Sequence, residues 1–215
     1  QEYKRAFDGN QGIVAGAPLG GLVEWDPEDR YGIASDLIHP LLPWLQESDY
    51  HGPLQVTGMW HGGKWHVLEF NIRLGITCGP LILRMMADPL GVLSAVVRNE
   101  SISPRLRGQD RFGASLTLAG YGYPYTQLNP PRLPVQLKGP LDCDVWWNEV
   151  DQDLQGRLAT SGQGANRIAD LNATGESVEQ ALERVYRNIR NISCPGSYFR
   201  TDVGETLWPP DFSQK

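Results

Sequence analysis

Apolar residues recur at helical spacing most clearly near the C-terminus, where Val178, Ala181, Leu182, Val185, Ile189 and Ile192 form one stripe. Ser177 precedes it with Gln180 three residues on, a capping box that predicts where this helix starts. Arg184, Arg187 and Arg190 lie toward its end, where the helix dipole favours cations, and are expected to be solvated. Leu81, Leu83, Met85, Met86, Leu90, Leu93 and Val96 predict a buried helix over 80–97, or two joined at Pro89. Leu37, Ile38, Leu41, Leu42 and Leu45 predict another over 33–46, shortened or kinked by Pro40 and Pro43.

Strand patterns fill much of the remainder. Residues 67–73 (Val67-Leu68-Glu69-Phe70-Asn71-Ile72-Arg73) predict a strand with Glu69, Asn71 and Arg73 on one side and Leu68, Phe70 and Ile72 on the other. Gly62-Gly63 predicts a hairpin turn joining 52–60 to 65–73, which brings His61 and His66 toward each other as surface residues. Further strands are predicted over 114–119, 144–150, 155–158 and 166–171. The four prolines of 129–140 predict loop or sheet edge. Residues 1–30 are glycine-rich and expected to be irregular. The polar, arginine-rich stretch 99–111 is the expected linker between two domains.

Composition narrows the class. The 16 Pro and 24 Gly exclude a helical bundle, while an apolar fraction of 40% with seven Trp supports a real core. A net charge of −6 argues against nucleic acid as a partner. Cys78, Cys143 and Cys194 are odd in number and widely spaced, which fits a reducing, cytoplasmic compartment better than a disulfide framework. The longest apolar region is interrupted by Arg84, Asp88 and Pro89, so no membrane span is expected. The first residues, Gln1-Glu2-Tyr3-Lys4-Arg5, lack an initiator Met, and a fragment or processed chain is expected.

Two features suggest chemistry. Glu69 and Asn71 offer hard oxygen ligands of the kind Mg²⁺ takes alongside nucleotide phosphates, and Arg73 could hold an anion as a fork. The alternative is a half-buried strand with a solvated polar face. Gly-rich segments at Gly9–Gly12 and Gly16–Gly21 could bring backbone amides to an anion, or could be ordinary turns. Neither a P-loop nor a dinucleotide fingerprint is present.

The motifs together resemble the C-terminal half of the glycinamide ribonucleotide synthetase (phosphoribosylamine–glycine ligase) family of ATP-grasp ligases. The family's E-F-N-x-R-F-G matches Glu69-Phe70-Asn71-Ile72-Arg73-Leu74-Gly75. Its D-H-K-R stretch and glycine-rich loop match Glu2-Tyr3-Lys4-Arg5 and the loop through Gly21. Its G-Y-P matches Gly122-Tyr123-Pro124, and its T-(N/S)-G-G-R turn is similar to Thr160-Ser161-Gly162-Gln163-Gly164. Its closing helix and F-x-R-x-D-I-G tail are similar to 177–192 and Tyr198-Phe199-Arg200-Thr201-Asp202-Val203-Gly204.

The resemblance implies an α+β fold: the second half of an ATP-grasp core over 1–98, an antiparallel sheet with helices on one face, then a small β-rich domain with a closing helix over 112–215. It implies ATP-dependent carboxylate–amine ligation in purine biosynthesis or a related pathway through an acyl phosphate, with ATP as co-substrate and Mg²⁺ (or Mn²⁺) as cofactor. Glu69 and Asn71 would hold the metal and Arg73 would stabilise developing charge. Lys4, Arg5, Gly16 and Gly20 would bind substrate. A small amino acid and an amine are the implied substrates, and a missing N-terminal half, or a partner chain supplying it, would complete the site. The family's R-F-G-D-P-E-T-Q is here Arg73-Leu74-Gly75-Ile76-Thr77-Cys78-Gly79-Pro80, without the acidic pair. That departure leaves open a different acid or amine substrate, or a non-catalytic binding or assembly module.

Overall fold

The computed structural model describes residues 1–125, 129–164 and 166–206. In chain order they form β1 (Glu2–Tyr3), β2 (Arg5–Phe7), β3 (Gln11–Val14), β4 (Gly20–Glu24), α1 (Ile33–Leu37), α2 (Leu42–Glu47), β5 (Gln55–His61), β6 (Lys64–Asn71), α3 (Cys78–Met85) and α4 (Pro89–Val97). There follow β7 (Phe112–Ala119), β8 (Pro134–Leu137), β9 (Asp144–Trp147), β10 (Val150–Gln152), β11 (Leu158–Thr160), β12 (Arg167–Gly175), α5 (Val178–Ile189) and β13 (Ile192–Ser193).

The core is a five-stranded antiparallel sheet in the order β1-β4-β7-β12-β9. Period-two alternation explains its central strands. On β7 and β12, Ala114, Leu116, Leu118, Ala169, Leu171 and Ala173 are buried with Ala181, Val185 and Ile189, one stripe of α5. The opposite face of the same strands is polar. Register pairs Asp170 with Thr117 and Asn172 with Ser115, and all four are buried. The buried Leu81 and Met85 of α3 cover this face, with Leu81 lying against Gly113. Burial on both faces explains why β12 does not show a simple in–out pattern.

A buried guanidinium satisfies much of that polar face. Arg167 donates through Nη2 to Asp170 Oδ1 at 2.6 Å, Thr117 Oγ1 at 2.8 Å, the Pro18 carbonyl at 3.0 Å and Thr77 Oγ1 at 3.1 Å. Its Nη1 reaches the Tyr123 hydroxyl at 3.1 Å. A second buried arginine ties the two ends of the chain together. Arg200 pairs with Asp202 at 2.5 Å, donates to the Arg5 carbonyl at 3.1 Å and lies 5.0 Å over the Tyr3 ring. Asp202 also accepts from the Gly9 amide at 2.9 Å, so the first strands are held against the tail.

Several expectations are corrected. Residues 1–30 are not mainly irregular, because they carry β1 to β4. The proline-rich 129–140 contains β8, which is interior to a second antiparallel sheet, β10-β11-β8-β13; Pro134 heads the strand, where its missing N–H interrupts least. The strand expected over 144–150 is split into β9 and β10 and that expected over 155–158 is displaced to β11, while that expected over 166–171 is present as β12 and runs on to Gly175. Residues 80–97 divide at Pro89, and α4 buries none of its residues, with Leu90 and Val97 75% and 86% exposed, contrary to a buried helix. Arg184 and Arg187 are not merely solvated, since both reach Asp142. Ser177 does cap α5, accepting from the Gln180 amide. The expected linker 99–111 does not separate two sheets: β4 before it pairs with β7 after it over five residues. Residues 207–215 of the expected C-terminal domain lie outside the described residues.

Candidate functional site

The candidate site lies on the β5–β6 hairpin. Gly62 and Gly63 supply φ values of +59° and +77°, the backbone a tight hairpin turn demands. A bulge then shifts the register: Thr57 pairs with Glu69 but Gly58 pairs with Val67, leaving Leu68 as the extra residue. Beyond the bulge Gln55 faces Asn71 and Thr57 faces Glu69, so these four side chains share one face. The other face carries Val56, Gly58 and Trp60 with Phe70, Val67 and Trp65, and turns toward α1. There Leu37 fills the space beside Gly58, and Trp65 donates to the Tyr31 carbonyl at 2.9 Å. The contact with α1 leaves the polar face free to meet β1.

Lys4, just after β1, meets that face. Its ammonium lies 3.2 Å from Glu69 Oε1 and 3.6 Å from Glu2. The Lys4 ammonium, followed by the Asn71 side chain, holds the Glu69 carboxyl below the usual carboxylate range. The Thr57 hydroxyl lies 3.5 Å from Glu69, and Gln55 Nε2 reaches Glu2 at 3.4 Å. Gln55 Oε1 is buried with no hydrogen-bond partner among the described residues. The cluster therefore combines two carboxylates, two side-chain amides, a hydroxyl and one ammonium. Hard oxygens of this kind suit Mg²⁺, which takes one or two carboxylates and completes its shell with water and phosphate. An orphaned acceptor at Gln55 leaves one position for a donor such as metal-held water or a substrate amine. The residues present thus fit the ion. Among the described residues no group of three or more His, Cys, Asp and Glu could hold a metal by itself.

The other expected site residues are dispersed. Arg73 lies beyond the end of β6, exposed, and donates to the neighbouring Leu74 carbonyl at 3.3 Å, so it does not continue the line of Glu69 and Asn71. Arg5 turns to the Gly12 carbonyl at 2.7 Å. Gly16 has open space where a side chain would stand. Gly20 is buried in β4, where an added Cβ would lie 2.5 Å from Val203 Cγ2, so close packing accounts for it. Gly20→Ala is expected to cost about 1–3 kcal/mol through overpacking, read as a lowered denaturation midpoint. His61 and His66 do approach, with ring centroids 6.3 Å apart. Thr77, in the segment that departs from the family motif, is buried and donates to Pro18 at 3.0 Å, tying the glycine loop to the start of α3. Glu2, Gln55 and Thr57 join the site without any sequence pattern that marks them. Only cross-strand register reveals Gln55 and Thr57, and the bulge hides that register from the sequence pattern.

The fold places the chain among ATP-grasp-type folds. More narrowly, it is related to the C-terminal half of phosphoribosylamine–glycine ligase. No protein-family model matches it. The Thermotoga maritima phosphoribosylamine–glycine ligase is 27% identical over 218 residues, covering 94% of this chain and 49% of the relative. The Caulobacter vibrioides enzyme of the same name is 27% identical over 222 residues, covering 95% and 49%. The chloroplastic enzyme of Arabidopsis thaliana is 26% identical, covering 95% and 40%. The crystal structure of the Thermotoga maritima ligase is similar with a TM-score of 0.74 at 26% identity, covering 94% of this chain and 50% of that one. The chain spans about half the length of the curated relatives it matches. Among the described residues, no helix is long and apolar enough to cross a membrane.

Proposed function

We propose that this chain is the C-terminal part of a cytoplasmic ATP-dependent carboxylate–amine ligase. The observation that carries the reading is the Glu69–Asn71 pair on one face of β6, met by Lys4, within a fold similar to phosphoribosylamine–glycine ligase. Glu69 and Asn71 hold Mg²⁺ (or Mn²⁺), which when bound neutralises phosphate charge on ATP. Lys4 keeps Glu69 ionised and offers a cation to an incoming anion. Arg73, exposed just past the end of β6, would have to leave its bond to the Leu74 carbonyl to reach charge that develops at the reacting phosphoryl group.

The reaction balances in two steps. A substrate carboxylate oxygen attacks the γ-phosphorus of ATP and ADP leaves, giving an acyl phosphate. The amine nitrogen then attacks the acyl carbon, phosphate leaves and the amine gives up a proton. Glycine and phosphoribosylamine are the substrates that the relatives' name suggests. Arg5 and Gly16, both solvent-exposed, would contact substrate on this reading. The three free thiols fit a reducing compartment.

Open apolar surface supports the need for a complementary half, whether on the same polypeptide or a partner chain. Val67, Leu68, Phe70 and Ile72 on the hairpin side and Leu90 and Val97 on α4 are exposed. Large exposed apolar patches mark surfaces that another protein element covers. Phosphate release by the full-length protein, with glycine and phosphoribosylamine supplied together, singly or not at all, tests the reading. Release from ATP that needs both substrates supports it. Release indifferent to both, or none with any small amino acid, overturns it.

A further inference from the structure

A polar cavity of about 200 Å³ is lined by residues including Arg84, Cys143, Asp144, Asn172, Thr174 and Arg184. It shares no residue with the Lys4–Glu69 cluster. Its unusual member is Asn172, which is 2% exposed and whose amide nitrogen and oxygen both lack a hydrogen-bond partner among the described residues. Buried amides are nearly always satisfied, so this one marks a place prepared for a molecule that both donates and accepts.

The charged groups around it sort into occupied and free. Asp142 is already engaged: it pairs with Arg187 at 2.7 Å and accepts from the Asn188 amide, while Arg184 donates to its backbone carbonyl through Nε at 2.8 Å. Arg84 and Asp144 are not saturated. They meet through Nε and Oδ2 at 3.0 Å, leaving the two terminal nitrogens of Arg84 and the other Asp144 oxygen without a protein partner among the described residues. Register sets Asp144 directly opposite Asn172 on neighbouring strands. One free guanidinium fork, one free carboxylate oxygen and one amide offering a donor and an acceptor thus converge.

We propose that this cavity binds the zwitterionic head of a small α-amino acid, as a site separate from the Glu69 cluster. The ligand carboxylate lies on the terminal nitrogens of Arg84 and on Asn172 Nδ2. Its ammonium lies between Asp144 and Asn172 Oδ1. The open positions on Arg84, Asp144 and Asn172 are then paired, and the two arginines and two aspartates of the lining match a ligand of zero net charge. The volume is below the roughly 300–1,000 Å³ of drug-sized sites, which limits the ligand to a small side chain.

Calorimetric titration of the protein with alanine and serine, and with propionate and ethylamine as probes carrying half of the head, tests this. Saturable binding of alanine or serine, at least about tenfold tighter than either half-probe, is the expected result. Asn172→Ala and Arg84→Gln should each weaken it about tenfold or more. Asn172→Ala removes an amide that makes no protein bond, and Arg84 is at the surface, so either variant keeps the fold available for measurement. Glu69→Gln should leave this binding unchanged, which separates the proposal from the ligase reading. A cavity holding water only, seen as no saturable heat with any probe, overturns it. So does propionate binding as tightly as alanine, or loss of the signal in Glu69→Gln.

Discussion

Asp170→Ala is expected to destabilise the protein by about 3–5 kcal/mol, the usual consequence of leaving a buried charge without its partner. Asp170 is 2% exposed and accepts from Arg167, from the Thr117 hydroxyl at 2.6 Å and from Asn148 at 2.9 Å. Without it the Arg167 guanidinium keeps its neutral oxygen partners, Pro18, Thr77 and Thr117, but loses its one counter-charge among the described residues. Burial opposes the Arg167 charge, and the Asp170 carboxylate with the Tyr123 hydroxyl outweighs it, holding the guanidinium above its usual range. Asp170→Ala removes the main counterweight to burial, but a guanidinium is too basic to deprotonate in a protein, so the arginine cannot escape the loss that way. A chain of this size loses about 2–4 °C in Tm per kcal/mol, so a fall of roughly 6–20 °C is expected. The double variant Arg167→Met with Asp170→Leu should recover much of it, because apolar replacement of a whole buried pair is often near neutral. Denaturant midpoints at unchanged m separate these cases. A loss under about 1 kcal/mol for the single variant would place this pair with weak surface bridges.

This network also shows where sequence reasoning stopped. The helix α5 was legible because its signals are local: an N-cap serine, its partner three residues on, and an apolar stripe. The β5–β6 hairpin was legible from Gly62-Gly63. The polar face of β7 and β12 was not, since Arg167 gathers groups from Pro18, Thr77, Thr117 and Tyr123, which only the folded chain brings together. Glycine at 20 and 21 suggested loop, yet both sit in β4, where Val203 and Cys78 press too close for a side chain. Apolar composition over 80–97 suggested burial, which Leu81 and Met85 of α3 show, but α4 is covered only in part and buries none of its residues fully. At the site, Glu69 and Asn71 kept their expected common face because the bulge falls before them, at Leu68. Arg73 lost that alignment because the strand ends at Asn71. The Lys4 contact joins residues 65 positions apart, and no spacing rule could supply it.

Glu69→Gln is expected to abolish most activity while leaving the fold intact. The substitution keeps the side chain's shape and removes its charge, so one hard anionic ligand becomes a neutral one. The pair it breaks with Lys4 is solvent-exposed, with Glu69 51% exposed, and such pairs contribute little to stability. The melting temperature should therefore barely move. On the proposed reading, kcat should fall by about 10²-fold or more, the scale seen when one group stabilising transition-state charge is removed. Calorimetric titration of Mg-ATP into the full-length protein should show correspondingly weaker binding that no longer depends on magnesium.

The pH response gives an independent check. Because Lys4 depresses the Glu69 pKa, the carboxylate remains ionised below the range where a free glutamate protonates. Metal binding should persist on acidification through that range and fall only as pH drops through the depressed value. Lys4→Met should move this acid edge upward, toward the ordinary glutamate range, while retaining magnesium dependence at neutral pH. Wild-type binding without magnesium dependence, or an acid edge unmoved by Lys4→Met, would remove Glu69 from the metal site and leave its contact with Lys4 as a surface ion pair.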